Sequence, residues 1–148
     1  MYSTAFYVLL LLSLFKASPA SAQFLGKEEQ GKASFYNKMF DGRKTSCGEK
    51  FDQKELTAAH RSLPFNTMIE VTNLSNNKSV VVRVNDRGPY HHKRLIDLTR
   101  AAAEHLGFIG SGIASVKLRV VGMEGMILLG HNEIITEMGD IIEKVNKL

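Results

Sequence analysis

Three polar segments carry titratable side chains at predicted turns, where rigid loops can present them to a ligand. These side chains are Glu49 in TSCGEKF, His60 in LTAAHRSLP and Asp86 in RVNDRGP. A carboxyl group tuned by burial can protonate a leaving oxygen, and neighbouring polar groups can stabilise positive charge at a sugar carbon. The set therefore fits acid-catalysed cleavage of a glycosidic bond, with Asp86 as the proton donor.

Each of these residues also has a structural interpretation. Asp86 can brace an Asx-turn through its own backbone. His60 can be a buried imidazole bonded to main-chain groups, and Glu49 can be a solvated loop acid. If Asp86 is the acid, it must keep its proton near working pH, so we expect burial to outweigh its cationic neighbours and raise its pKa.

The remaining reactive side chains predict little chemistry. His91 and His92 are adjacent, and no Cys or His stands at ligand spacing from them, so neither a metal nor another cofactor is predicted. Cys47 has no third group to orient a nucleophile, and we predict a free thiol without a catalytic role. Asp97 is a competing carboxylate. We interpret it as structural, because an acid near the start of a helix is favoured by the helix dipole.

The segments around these residues alternate in hydrophobicity with the period of a β-strand. Strands are predicted at residues 32–36, 67–74, 79–84 and 115–121, and short apolar runs lie at residues 56–59 and 95–98. The strands 67–74 and 79–84 flank the turn SNNK and predict a hairpin. A helix is predicted at residues 99–106, capped by Thr99 and ended by Gly107. Many short strands with one internal helix favour a small, mainly β barrel.

The predicted organisation is a signal peptide at residues 1–22, a linker at 23–30, one domain at 31–122 and a tail at 123–148. The apolar run AFYVLLLLSLF and the following Ala20-Ser21-Ala22 are typical of a cleaved signal peptide. An uncleaved anchor is the alternative, because no Lys or Arg precedes the run. We expect an exported protein, periplasmic or secreted, that is not stably inserted in a membrane after cleavage.

The tail has its own pattern. Apolar residues recur every three or four positions from Ile134 to Leu148, which predicts an amphipathic helix. We expect this helix to pack on the barrel or to associate with a second copy of itself.

The composition limits the partners of the domain. One cysteine excludes an internal disulfide, so the hydrophobic core must hold the fold. The formal net charge of +4 fits an anionic partner such as a cell wall or membrane surface. Nucleic acid is not predicted, because the basic residues are dispersed.

Five ordered blocks of the chain resemble the RlpA family of septal-ring lytic transglycosylases. They are GKASFYN, FDGRKTSCGEKFD, LTAAHRSLPFNT, VTNLSNNKSVVVRVNDRGPY and RLIDLTRAAAEHLGFI, between residues 31 and 121. The resemblance implies a six-stranded double-psi β-barrel, a fold shared with expansins. It also implies cleavage of peptidoglycan strands between N-acetylmuramic acid and N-acetylglucosamine, with 1,6-anhydro ends and a preference for strands without stem peptides.

The same resemblance implies roles for individual residues. Asp86 is the essential acid, and His60 and Glu49 orient the sugar or tune Asp86. We further predict that Arg61, Asn85, Arg87 and Tyr36 bind the substrate. The chain departs from the family pattern at Cys47, where Asn is usual, and at Phe35, where Trp is usual.

Two alternatives to lytic cleavage stay open. An expansin-like module would bind or loosen wall glycan without cutting it. A hydrolase would need a second carboxylate either about 5–5.5 Å or about 6.5–9.5 Å from the first.

Overall fold

The computed structural model describes residues 23–123, 126–127, 133–135 and 141–143. The predicted signal peptide lies outside the described residues. The elements of the domain are β1 (Glu28–Phe35), a 3₁₀ helix (Lys38–Phe40), β2 (Thr57–His60), β3 (Met68–Asn73), β4 (Ser79–Asp86), β5 (Ile96–Leu98), α1 (Arg100–His105) and β6 (Ala114–Met123). Among the described residues, no helix is both long and apolar enough to cross a membrane.

Six strands close into a barrel in the order β1-β5-β2-β4-β3-β6, and β6 pairs again with β1. The β1–β5 and β2–β4 pairs are parallel, whereas the other four pairs of the ring are antiparallel. Closure leaves none of these six strands with a free edge, which is the usual way for a small β-protein to satisfy its backbone.

The hairpin of β3 and β4 confirms the prediction from alternating hydrophobicity. Ile69 pairs with Val82 and Val71 pairs with Val80, and all four side chains are fully buried. Alternation places every second side chain of a strand on the same face, so these residues form part of one core. The hairpin thus holds the end of β4, and with it Asp86, in a fixed place.

Helix α1 begins and ends as predicted. The Thr99 hydroxyl accepts a hydrogen bond from the Ala102 amide and donates one to the Glu55 carbonyl. Gly107 follows the helix with a φ of +73°, a conformation that favours glycine. The buried face of the helix, Ala102 and Ala103, packs into the hydrophobic core.

The central strand β2 lies between two carboxylates, one on each neighbouring strand. Ala59 pairs with Asp86 of β4 and with Asp97 of β5, after a register shift between Ala58 and Ala59. Two strand spacings put the Cα atoms of Asp86 and Asp97 about 10 Å apart.

One boundary prediction is wrong. The predicted linker 23–30 ends early, because β1 begins at Glu28 and pairs antiparallel with Arg119 of β6. The start of this strand is polar and largely exposed, so it carries no hydrophobic alternation that a sequence pattern could register.

The predicted tail helix is also wrong where the tail is described. Residues Glu133–Ile135 (β8) and Ile141–Glu143 (β9) form an antiparallel pair, and Met126–Ile127 (β7) extends β6. β-branched isoleucines favour strands, and Gly139 between them disfavours a helix. Glu133 pairs with Arg119 at 2.7 Å, which joins the tail to the barrel. The rest of the predicted helix lies outside the described residues, and self-association through it stays a prediction.

Candidate active site

Asp86 ends β4 and accepts four hydrogen bonds. Its Oδ1 accepts from the Ser46 amide (2.8 Å), the Ser46 hydroxyl (2.7 Å) and the Arg87 amide (2.9 Å). Its Oδ2 accepts from the Tyr36 hydroxyl at 2.6 Å. A carboxylate offers about four lone-pair positions, so these donors satisfy the ionised form of Asp86.

This network overturns the expectation that the pKa of Asp86 is raised. Burial is the largest influence and raises the pKa, but the hydrogen bonds from Ser46, Tyr36 and Arg87 together outweigh it. The pKa of Asp86 therefore lies below its ordinary value of 3.8. Hydrogen bonds to the charged form, which residue types alone do not reveal, determine the direction.

Ser46 is the residue that the sequence analysis missed. It lies in a tight turn closed by two hydrogen bonds, from the Thr45 amide to the Glu49 carbonyl (2.7 Å) and from the Gly48 amide to the Thr45 carbonyl (2.9 Å). Gly48 has a φ of +92°, which a side chain would strain. The only local signal was a small polar residue in this turn, and its partner lies 40 positions away.

Glu49 and Asn85 anchor that turn to β4. Arg83 donates to both oxygens of Glu49 at 2.6 and 2.8 Å, and the Asn85 amide donates to it at 3.3 Å. The Cys47 amide donates to the Asn85 carbonyl. Arg83 and Asn85 of β4 thus both hold Glu49. Through these bonds Glu49 holds the turn that presents Ser46.

The charge state of Glu49 follows from the same contacts. The hydrogen bonds from Arg83 hold the pKa of Glu49 below its ordinary value, against the opposing effect of burial. Glu49 is therefore ionised at neutral pH. Asn85 is only 3% exposed, so its amide is covered by the turn rather than presented to solvent.

Tyr36 directly follows β1 and brings its hydroxyl to Asp86. Burial raises the pKa of Tyr36, and the hydrogen bond to Asp86 raises it further. The negative charges of Asp86 and Asp97 and the nearby Tyr90 add to this effect, so Tyr36 stays a donor. Its ring packs against Phe51, with centroids 4.5 Å apart, which fixes the hydroxyl.

His60 lies apart from this network. Its Nδ1 accepts hydrogen bonds from the Ser62 and Leu63 amides, at 3.3 and 3.1 Å. Nε2 is buried without a hydrogen-bond partner in the described part of the chain, 3.8 Å from Glu29. Burial holds the pKa of His60 below its ordinary value, so the ring is neutral at neutral pH. Among the described residues, no hydrogen bond or ion pair joins its side chain to Asp86.

Arg61 and Arg87 brace loops through main-chain carbonyls. Arg61 donates to the carbonyls of the segment after Asp86, namely Pro89 (2.9 Å), His91 (3.2 Å), His92 (3.3 Å) and Arg94. Arg87 donates through Nη1 to the His60 and Leu63 carbonyls, and its guanidinium lies 3.9 Å from the ring centre of Phe65. Both side chains therefore shape the loops beside Asp86.

Asp97 is held on the other side of β2. Ser34 donates to its Oδ1 at 2.5 Å, and Arg94 lies 3.3 Å from the same oxygen. Arg94 also donates to the Ser34 hydroxyl at 2.6 Å. The structure thus assigns the Asp97 carboxylate a side-chain network between β1 and β5, in place of the predicted interaction with the start of α1.

Cys47 is a free thiol, 3.3 Å from the Thr45 hydroxyl. The described ranges contain no group of three or more His, Cys, Asp or Glu side chains that could hold a metal ion.

Of the seven predicted site residues, the structure brings Tyr36 and Asp86 into direct contact. Glu49 and Asn85 reach the site through the turn that carries Ser46, and Arg87 reaches it through its backbone amide. Arg61 contacts the loop after Asp86, whereas His60 faces away toward Glu29. The catalytic and binding roles of these residues stay predictions.

Solved structures of other proteins share this fold. A Streptomyces papain inhibitor superimposes with a TM-score of 0.53 and 22% identity, over 64% of this chain and 94% of the inhibitor. An expansin from Clavibacter michiganensis superimposes with a TM-score of 0.54 and 21% identity, over 65% of this chain and 51% of the expansin. The predicted six-stranded double-psi β-barrel is confirmed.

Curated relatives carry much higher identity. The endolytic peptidoglycan transglycosylase RlpA of Campylobacter jejuni is 52% identical over 98 residues, which are 66% of this chain and 36% of that protein. The protein of the same name from Pasteurella multocida is 42% identical over 130 residues, 86% of this chain and 44% of that protein. This chain therefore spans less than half the length of these two relatives.

The family model described as lytic transglycolase matches residues 28–118, which include Asp86 and all the residues that hold it. The match covers more than half of the chain and confirms the resemblance that the five sequence blocks carry. The protein belongs to the lytic transglycolase family, in which the RlpA proteins are its curated relatives.

Proposed function

We propose that this protein is a lytic transglycosylase that cleaves peptidoglycan strands between N-acetylmuramic acid and N-acetylglucosamine and leaves 1,6-anhydromuramic ends. The observation that carries the proposal is Asp86, a partly buried carboxylate fixed by four hydrogen bonds at the end of β4. Its curated relatives are named endolytic peptidoglycan transglycosylases, which supports transglycosylase chemistry here.

The reaction needs one carboxyl group and no water. Protonated Asp86 gives its proton to the glycosidic oxygen, and the bond from that oxygen to muramic C1 breaks. The muramic C6 oxygen then bonds to C1, and the C6 hydroxyl proton passes to the Asp86 carboxylate. Asp86 thus ends the cycle as it began, which is the acid-then-base use of one group.

The low pKa of Asp86 sets a condition on this cycle. Without bound glycan, Asp86 is protonated at pH 7 in roughly one molecule in a thousand or fewer, because its pKa lies below 3.8. A bound glycan covers Asp86 and excludes water, which adds to the burial that already raises its pKa. Substrate binding therefore favours the protonated form that the first step requires.

Ser46 and Tyr36 are positioning residues in this scheme. When Asp86 carries its proton, one of the four donors must release its lone-pair position. The two hydroxyl groups can rotate, whereas the Ser46 and Arg87 amides are fixed in the backbone. The two hydroxyl groups can thus reorient when Asp86 gains or loses its proton during the cycle.

A second function is favoured by the same network. An ionised carboxylate with all its hydrogen bonds satisfied suits a binding module that holds wall glycan without cutting it, and the expansin shares the fold. Hydrolysis is the third outcome. It would need Asp97 to activate a water, although Asp97 is engaged by Ser34 and Arg94.

Digestion of purified, peptide-free glycan strands followed by mass spectrometry separates these functions. Anhydromuramic ends support the proposal, provided that Asp86→Asn lowers their formation by about 10²–10⁴-fold and keeps the fold. Reducing ends would indicate a hydrolase. Retention on wall pellets with no cleavage would indicate a binding module and refute the enzyme.

We also propose that the protein is exported and works on peptidoglycan outside the cytoplasm. The support is the apolar run before Ala20-Ser21-Ala22. N-terminal sequencing of the protein from its own cell should begin at Gln23. Recovery of the intact chain in the membrane fraction would contradict cleavage.

A further inference from the structure

A cleft lies on the barrel between the 3₁₀ helix and the start of α1, beside the turn at residues 53–54. It has a volume of about 770 Å³, within the range of about 300–1,000 Å³ that is usual for ligand-binding clefts. Phe35, Tyr36 and Ala101 supply its apolar lining. Tyr36 also donates to Asp86, so this cleft adjoins the proposed active site without containing the acid.

The walls of this cleft are held together by Gln53. Its side-chain amide donates to the carbonyls of Tyr36 at 3.0 Å and Asn37 at 3.3 Å. Its side-chain oxygen accepts from the Arg100 amide at 2.8 Å, and its carbonyl accepts from the Ala101 amide at 3.1 Å. One residue thus ties the segment after β1 to the start of α1. The cleft is therefore formed before a ligand arrives, which lowers the entropic cost of binding.

The charged groups around the cleft are only partly matched to one another. Arg100 and Glu104 pair at 3.0 Å. Lys38, Lys54 and Asp41 also line the cleft, and among the described residues none of these three forms an ion pair. All three residues are exposed. The cleft therefore offers two ammonium groups and one carboxylate to a ligand, and it suits one that carries more carboxylates than ammonium groups.

A peptidoglycan stem peptide has these properties. It carries several carboxylates and, at its diamino acid, an ammonium group, and its alanine methyl groups are apolar. We propose that this cleft binds a stem peptide and so holds the domain on a peptide-bearing strand, next to the strand that lies at Asp86. The bound peptide keeps the domain at the wall while the acid acts on a neighbouring strand. The assignment rests on the proposed function for the choice of peptidoglycan.

Titration of the whole chain with a peptide tests the cleft without any glycan. The probe is the N-acetylated tetrapeptide L-Ala-γ-D-Glu-meso-diaminopimelate-D-Ala, and binding is followed by NMR of the backbone amides. The amides of Lys38, Lys54 and Ala101 should shift, and added salt should raise the Kd because exposed charges are screened. Shifts confined to other parts of the barrel, or no saturation up to about 10 mM peptide, would refute the site.

Variants of the two lysines test the charge argument. Lys38→Ala and Lys54→Ala should each raise the Kd about threefold, the scale of an exposed ion pair, and the double variant about tenfold. Lys78→Ala is the matched control, since it removes the same charge beside Gly107, beyond the other end of α1. All of these lysines are exposed, so the variants should keep the parent Tm. A double variant that binds like Lys78→Ala would overturn the assignment.

An all-L peptide with the same numbers of carboxylate and ammonium groups separates a wall peptide from a segment of another protein. It should bind at least about threefold more weakly, because its linkages place the carboxylates differently. Equal affinity would assign the cleft to a protein segment and refute the stem peptide as its ligand.

Retention on wall pellets tests the same site in its proposed setting. The double lysine variant should be retained less than the parent on peptide-bearing wall, and equally on wall stripped of peptides by an amidase. Equal retention on both pellets would refute the site. The cleavage assay on peptide-free strands is independent of these results. Peptide binding without anhydromuramic products would retain this site and refute the enzyme, whereas products from a chain that does not bind the peptide would refute this site alone.

Discussion

Replacing Ser46 with alanine is expected to speed glycan cleavage at neutral pH. The change removes the hydroxyl that donates to Asp86 Oδ1 at 2.7 Å and leaves the Ser46 and Arg87 amides and the Tyr36 hydroxyl in place. The lost bond favours the ionised form of Asp86, so its removal raises the pKa of Asp86. More molecules then carry the proton that the first step consumes.

The structure sets the size of this effect. A hydrogen bond to a charged group contributes about 1.5–3 kcal/mol, and a partly exposed site with an intact neighbouring amide favours the lower end. About 1.4 kcal/mol corresponds to a tenfold increase in the protonated fraction. A weaker acid transfers its proton less readily, so we expect kcat/KM near pH 7 to rise about threefold.

The assay is the dependence of kcat/KM on pH, with anhydromuramic ends counted by mass spectrometry. The profile of Ser46→Ala should move to higher pH, and its advantage should vanish well below the pKa of Asp86. Ser75→Ala is the control, since it removes a hydroxyl bonded to Asn73 at the other end of the hairpin. A uniform loss of rate at every pH, with an unmoved profile, would show that Ser46 contacts the substrate instead.

Asp97→Asn should weaken the contacts with Ser34 and Arg94 and lower Tm by about 5 °C for each kcal/mol of stability lost. Cleavage should persist in this variant. A loss of turnover without a lower Tm would show that Asp97 is catalytic. The folded state holds the pKa of His60 below its unfolded value of 6.5, so thermal stability should fall as pH drops below about 6.5 and the unfolded state takes up the proton. That slope should be shallower in His60→Gln, and an unchanged slope would assign it to other groups. Cys47→Ser should retain most of the cleavage activity, and a thiol reagent should modify Cys47 in the native chain. A loss of activity comparable to that of Asp86→Asn would contradict this prediction.

Local signals in the sequence predicted the parts of the fold that are stabilised locally. The β3–β4 hairpin follows from alternating side chains around a short polar turn, and α1 follows from the Thr99 cap and Gly107. Each of these features depends on residues that are close in the chain. Their existence was therefore predictable, although β4 continues two residues past the predicted end to include Asp86.

The charge state of the site depends on contacts that the sequence does not display. Ser46 meets Asp86 across 40 positions, and Glu49 meets Arg83 across 34. From residue types, burial was expected to raise the pKa of Asp86 and the neighbouring cations to lower it. The structure adds hydrogen-bond donors to the carboxylate, and these reverse the expected direction of the pKa shift. Because the donors lie on turns that are distant in the sequence, they are identified only once the fold is known.

The tail shows a different kind of failure. Spacing of three and four residues between apolar positions is the pattern of a helix, but two pairs of adjacent isoleucines also suit paired strands. Periodicity alone did not decide between them. The antiparallel pair of β8 and β9 is favoured by tertiary partners such as Arg119, which the tail sequence does not contain.

The closure of the barrel by β1 and β6 has a consequence for how the chain acquires its structure. Glu28 pairs with Arg119, so β1, which is synthesised first, cannot complete its pairing until β6, the last strand of the ring, has been synthesised. Until then β1 has an unpaired edge, and closing so long a loop costs entropy before any contact is gained. Such non-local pairing typically slows folding to milliseconds or seconds. A chain interrupted before Ala114 would lack β6 altogether, leaving β1 and β3 each without one neighbour, and would be a target for aggregation or proteolysis.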